Sequence, residues 1–134
     1  LYFDMSLRCS CIFRFSMIRV AINGFGRIGR NTLRAIVERG LDTELQVVAV
    51  NDLTEPATLA HLLKYDTVLR RFDGEVTAGK DFISVNGTKI RVYAEKDPEA
   101  LPWKKEKVDV VLECTGRFTN NGADTGIGYA EMQE

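Results

Sequence analysis

Residues 18–30, Ile18-Arg19-Val20-Ala21-Ile22-Asn23-Gly24-Phe25-Gly26-Arg27-Ile28-Gly29-Arg30, constrain the chain more than any other stretch. An apolar run ends at Asn23, glycines follow at 24, 26 and 29, and a helical pattern begins. The spacing is G-x-G-x-x-G between a strand and a helix. There the first glycine makes a tight turn, the second lets backbone approach a pyrophosphate, and the third lets the helix pack close to the strand. The first turn of such a helix offers unpaired N–H groups and the positive end of its dipole to an anion. A glycine turn without a ligand is the plainer alternative. The flanking strand, the flanking helix and a suitably spaced acid count against it.

That acid is Asp52. The apolar run at residues 45–51 reads as a second strand, buried on both faces as parallel strands are. Asp52 ends it, 23 residues after Gly29. A carboxylate there accepts from both hydroxyls of an adenosine ribose and repels a 2′-phosphate, which favours NAD over NADP. A loop aspartate or a helix cap is the bland reading of the same residue.

The first helix is expected over residues 25–39, with Gly40 as its stop. A second helix is expected to start at Thr54 as N-cap, with Pro56 in its first turn, and to continue to about Lys64. His61 on it reads as a surface or packing residue. Residues 65–79 read as an irregular, charged connection. Two short β runs flank Asn86-Gly87, a hairpin signal. Asp97-Pro98-Glu99 opens a short turn, and Trp103 docks on the core. Residues 108–114 are the last strand, with Thr115-Gly116 at its carboxyl end. Residues 1–16 read as a leader without clear period, or as a short amphipathic segment, and residues 120–134 as a flexible tail.

Composition excludes more than it selects. The chain has 134 residues and a net charge of −1, so the total charge names no partner. Residues 1–40 carry a balance of +5 and the remainder −6. Arg27, Arg30 and Arg34 thus stand beside the glycine turn, suited to an anion or simply to a solvated helix face. No apolar run reaches the roughly 18–20 residues of a membrane helix, and no nucleic-acid site emerges. Three cysteines, Cys9, Cys11 and Cys114, without a signal peptide point to reduced thiols and a cytoplasmic setting. Cys114 reads as a core thiol.

Five separated motifs then align with one family. Residues 18–30, Asn51-Asp52, His61-Leu62-Leu63-Lys64-Tyr65-Asp66, Glu95-Lys96-Asp97-Pro98 and Glu113-Cys114-Thr115-Gly116-Arg117-Phe118-Thr119 resemble the amino-terminal part of glyceraldehyde-3-phosphate dehydrogenase. The erythrose-4-phosphate dehydrogenases are a close sibling, and Asn51-Asp52 resembles the glyceraldehyde enzyme better. The resemblance implies an α/β fold: a Rossmann-type, mostly parallel sheet with flanking helices over residues 17–119, its second half incomplete. It implies NAD as cofactor. Gly24, Phe25, Gly26, Arg27, Ile28 and Gly29 would hold the pyrophosphate and Asp52 the adenosine ribose. Lys96 stands where the family commonly has an adenine-side arginine. Thr115, Gly116 and Phe118 would line the adenine and ribose side. Arg70 stands where many members have glycine.

The family's reaction needs a cysteine thiolate in a Ser-x-Ser/Ala-Cys-Thr-Thr-Asn segment and a later histidine base. Neither occurs in these 134 residues. The chain therefore reads as a coenzyme-binding part of an oxidoreductase, inactive by itself. The alternative is a non-catalytic binding or assembly module. It would self-associate through an exposed sheet edge at residues 108–114.

Overall fold

The computed structural model describes residues 17–116. Its main sheet has six strands: β1 (Ile18–Asn23), β2 (Leu45–Asn51), β5 (Val76–Ala78), β6 (Phe82–Val85), β7 (Thr88–Tyr93) and β8 (Val110–Glu113). Their order across the sheet is β5-β6-β7-β2-β1-β8. β7, β2, β1 and β8 run parallel, while β5 and β6 extend the sheet antiparallel from β7. This is the Rossmann-type arrangement that the sequence implies, with β1 between β2 and the outer strand β8. The tail predicted at residues 120–134 and the leader at 1–16 lie outside the described residues.

Two helices follow the parallel strands. Helix α1 spans Arg27–Glu38, and helix α2 spans Pro56–Lys64. Gly40 stands just past α1 at φ +67°, and its N–H bonds the carbonyl of Val37 at 3.1 Å. A left-handed glycine at that position closes the helix as expected. Helix α2 departs from expectation at its start. Its N-cap is Glu55, not Thr54, and Pro56 occupies the first turn. Proline holds the residue before it extended, and Glu55 sits at φ −61°, ψ 144°. Thr54 instead donates its N–H to Asp52 Oδ1 at 2.9 Å.

Both helices bury their apolar stripes on one face of the sheet. Phe25, Leu33, Ile36, Leu59 and Leu63 join Val20, Ile22, Val50, Ile83 and Ile90 there in one cluster. The opposite face holds Ala21, Val48, Ala49 and Val111 under Leu101 and Trp103. A register shift between Val20 and Ala21 explains why two consecutive residues, Val48 and Ala49, share that face. Trp103 is 2% exposed and meets Tyr93 edge-on, with ring centroids 6.2 Å apart. Burial and the neighbouring Glu106 push the Tyr93 phenol up to about 12. Asn86 and Gly87 both have positive φ, 51° and 83°, which is the type I′ geometry of a two-residue hairpin between β6 and β7.

The connection over residues 65–79 is more ordered than its composition suggests. β3 (Tyr65–Asp66) and β4 (Arg70–Arg71) pair antiparallel, and Phe72, 2% exposed, pins the end of that hairpin to the core. Asp66 Oδ1 accepts the N–H groups of Val68 and Leu69 at 2.8 and 2.9 Å. Those two bonds hold its carboxyl below the usual carboxylate range. Arg34 is only 3% exposed, which corrects the solvated-face reading of that residue. Its guanidinium lies over the Phe72 ring at 5.4 Å and donates to the Arg70 carbonyl at 3.0 Å. Arg70 itself sits at φ +64°, a conformation that side chains disfavour and glycine does not.

Candidate functional site

The parallel strands β2, β1 and β8 end side by side, and their carboxyl ends open into a cleft of about 560 Å³. Its walls include Gly24, Gly26, Asp52, Lys96 and Thr115, together with Asn23, Asn51, Thr54 and Cys114. Sequence residues up to 92 positions apart thus meet at one place. A second cavity, about 110 Å³ between Met17, Leu33 and Ile90, is too small for a nucleotide.

The three glycines have three different reasons to be glycine. Gly24 has φ +91°, and a Cβ on it would stand 2.7 Å from the backbone N of Thr115. The turn after β1 and the turn after β8 therefore touch through bare backbone. A Cβ on Gly29 would stand 2.4 Å from the carbonyl oxygen of Gly24, so α1 could not pack as close to the strand. Gly26 is unlike both. Its φ of −76° suits any residue, and a Cβ on it would meet no protein atom within 4 Å. The protein does not require glycine there, whereas a ligand pressed against the turn would.

Gly26 is also the N-cap of α1, and it brings no capping side chain. The first intrahelical bond runs from Arg30 N to Gly26 O at 2.9 Å, so the N–H groups of Arg27, Ile28 and Gly29 precede it. The first turn holds no acidic residue. Three N–H groups and the helix dipole thus face the space left by the missing Cβ, and that combination fits a phosphate. The side chains of Arg27 and Ile28 are exposed, Ile28 by 66%, so their backbone rather than their side chains fits the anion. The Phe25 ring is fully buried in the core. Only its backbone lies at the turn, where its N–H donates to Asp52 Oδ2 at 3.1 Å.

Asp52 is held from both sides. Phe25 N–H bonds Oδ2 and Thr54 N–H bonds Oδ1, while the Asp52 N–H donates to the Tyr93 carbonyl at 2.8 Å. An ionised carboxylate has about four acceptor positions, so about two remain for hydroxyl donors. Lys96 is exposed on the far lip, its N–H on Glu95 Oε1 at 3.0 Å. Thr115 and Gly116 form the near lip, Gly116 at φ +69°. Phe118 lies outside the described residues.

A row of polar side chains under the cleft escaped the sequence reading. Asn51 Nδ2 donates to Asn23 Oδ1 at 2.8 Å, and Asn23 Nδ2 donates to Glu113 Oε2 at 2.8 Å. Glu113 Oε1 accepts from the Thr115 N–H at 2.8 Å and from its hydroxyl. Asn23 and Asn51 are 2% and 6% exposed. An amide at the end of each of two apolar strands, and a glutamate in a third, were the available signal. Cys114 is half-buried: it packs against the core cluster and also lines the cleft wall. Burial, then the charge of Glu113, push its thiol up. A thiol kept protonated is a poor nucleophile.

A parallel sheet that gathers a phosphate-sized gap and a fixed carboxylate at the ends of its strands defines a dinucleotide-binding domain. Comparison with known proteins narrows the class. Residues 18–121 match the family described as glyceraldehyde 3-phosphate dehydrogenase, NAD binding domain, and the chain belongs to that family. Over 104 residues it is 60% identical to the glyceraldehyde-3-phosphate dehydrogenase of Kitasatospora aureofaciens, covering 78% of this chain and 31% of that protein. The plasmid-encoded enzyme of Cupriavidus necator is 57% identical over 103 residues, covering 77% and 31%. The enzyme of Thermotoga maritima is 55% identical over 104 residues, again covering 78% and 31%. The chain therefore spans about a third of the length of these relatives, and NAD is the cofactor of the domain it forms. No helix among the described residues is long and apolar enough to cross a membrane.

Proposed function

We propose that the cleft holds the ADP-ribose half of NAD. The pyrophosphate rests on the backbone of residues 24–29, against the gap at Gly26 and the N–H groups of Arg27 and Ile28. Asp52 accepts from the ribose hydroxyls. Lys96, Thr115, Gly116 and Phe118 line the adenine side. The observation that carries this reading is Gly26, glycine at a position where the fold would admit a side chain. The whole protein is then a phosphorylating glyceraldehyde-3-phosphate dehydrogenase of glycolysis, an oxidoreductase acting in the cytoplasm. The 134 residues by themselves bind the coenzyme without turning it over. Calorimetric titration with NAD and ADP-ribose tests the site, with Asp52→Ala alongside. Saturable binding that weakens about 100-fold or more in the variant supports it, the loss expected when charged hydrogen bonds to two hydroxyls disappear. Equal binding by both proteins overturns it.

A second reading concerns assembly. β8 is the outermost strand of the sheet among the described residues, paired only with β1, and Val110 on it is 36% exposed. Such an edge suits pairing with another copy. A sedimentation coefficient independent of concentration over the micromolar range would refute self-association.

A further inference from the structure

The polar row under the cleft has a direction, and the main chain of Glu95 sets it. A backbone N–H can only donate, and a backbone carbonyl can only accept. Glu95 N donates to Asn51 Oδ1 at 2.9 Å, and Glu95 O accepts from Asn51 Nδ2 at 2.9 Å. The Asn51 amide therefore has one permitted orientation. Its remaining amide hydrogen goes to Asn23 Oδ1. That orients Asn23 in turn, so that Nδ2, a donor, faces Glu113. From the other side the Thr115 N–H, also a donor, points at Glu113. Residue 113 is thus approached by donors at both of its terminal atoms. Glutamine fits the space and fails the chemistry, because either orientation of its amide sets one N–H against another.

We propose that Glu113 is a positioning residue for the coenzyme cleft. It is the terminal acceptor of a one-way hydrogen-bond row that ties the 95–96 lip to the 115–116 lip across the ends of β2, β1 and β8. The inference rests on the reading of the cleft as the ADP-ribose site. Both lips are loops, and the row fixes their separation before any ligand arrives. Asn23 and Asn51 are its relay, and neither need touch the coenzyme for their loss to weaken it.

A polarity swap tests this in the 134-residue chain. Glu113→Gln sets donor against donor at Asn23. Asn23→Asp sets carboxylate against carboxylate. The double variant restores every bond. The carboxylate introduced at position 23 accepts from the amide introduced at position 113, whose oxygen accepts from Thr115. Each single variant should raise the Kd for NAD about tenfold or more, the cost of one unsatisfied buried partner. The double variant should return to within about threefold of the native chain. In the ligand-free chain, Glu113→Gln should also speed amide hydrogen exchange at Glu95, across the cleft, and the double variant should slow it again. A purely local role for Glu113 would move only Thr115. Single variants that bind NAD like the native chain overturn the proposal. So does a double variant as weak as the product of the singles, or exchange at Glu95 indifferent to residue 113. A native chain that binds no NAD refutes the reading of the cleft alone. Exchange at Glu95 still decides the row in that case.

Discussion

Alanine at each of the three motif glycines should separate folding from binding. At Gly26 the backbone already lies where alanine is comfortable, and the new methyl meets no protein atom. Losing a glycine's freedom in the unfolded chain stabilises by about 0.4–1 kcal/mol. Alanine is also a poorer N-cap than glycine, by a similar amount. The two effects offset, so stability should change by less than about 0.5 kcal/mol, roughly 2–4 °C in Tm for a domain of this size. Binding should not escape. The methyl occupies the space that a phosphate needs to reach the N–H groups of Arg27 and Ile28. Losing one or two charged hydrogen bonds, about 1.5–3 kcal/mol each, raises the Kd for NAD by about 10- to 10⁴-fold. Gly24→Ala and Gly29→Ala should behave in the opposite way. Their methyls would stand 2.7 and 2.4 Å from backbone atoms, and Gly24 adds a φ of +91°. Each should lower stability by at least about 2 kcal/mol, through overpacking and, at Gly24, backbone strain. Thermal melting and calorimetric titration on the same four proteins read both quantities. A Gly26→Ala chain that binds NAD with native affinity, or melts as early as the Gly24 variant, would mean that residue 26 is not glycine for the sake of a ligand.

Other perturbations follow from particular contacts. Arg70→Gly should stabilise the chain by about 0.5–1 kcal/mol, the relief of a left-handed arginine less the entropy of glycine; a lower melting temperature would count against it. Asp66 has its carboxyl held below the ordinary 3.8 by the N–H groups of Leu69 and Val68. Its contribution is present above that value and fades as pH falls through the lowered one. The stability gap between the native chain and Asp66→Ala, measured by urea unfolding, should therefore hold at neutral pH and close as pH falls below about 4. Trp103→Ala empties the cluster on the second face and should cost about 3–5 kcal/mol, a large share of the stability of a domain this size. A lower midpoint of urea unfolding, followed by far-ultraviolet circular dichroism, would report it.

Much of the fold was legible because its signals are local. The β2 strand coincides with a nearly continuous apolar run, α2 ends where Lys64 ends its pattern, and Asn86-Gly87 makes the turn that its composition specifies. The site was legible in part for the same reason, since one turn carries three of its glycines and Asp52 closes the next strand. What stayed hidden depends on distance in the chain or on strands too short to show a period. β3 and β4 have two residues each. Arg34 looks like any helix-surface arginine until Phe72 covers it. Phe25 stands among the motif residues, yet its ring belongs to the core. The bond from Asn23 to Glu113 joins residues 90 positions apart, which no window along the sequence spans.

That separation also orders events in time. β1 is made first, and Asn51, 28 positions on, supplies its partner on one side soon afterwards. The other side waits for Glu113. At ordinary rates of synthesis those 90 residues take roughly 5–20 s, during which the nascent chain holds the glycine turn but only one wall of the cleft. The turn at Thr115, against which Gly24 packs, does not yet exist. On the proposed reading of the cleft, affinity for the coenzyme would be acquired late, when β8 docks. A ribosome stalled before residue 110 would carry the whole G-x-G-x-x-G motif and still lack the row and the lip that complete the cleft.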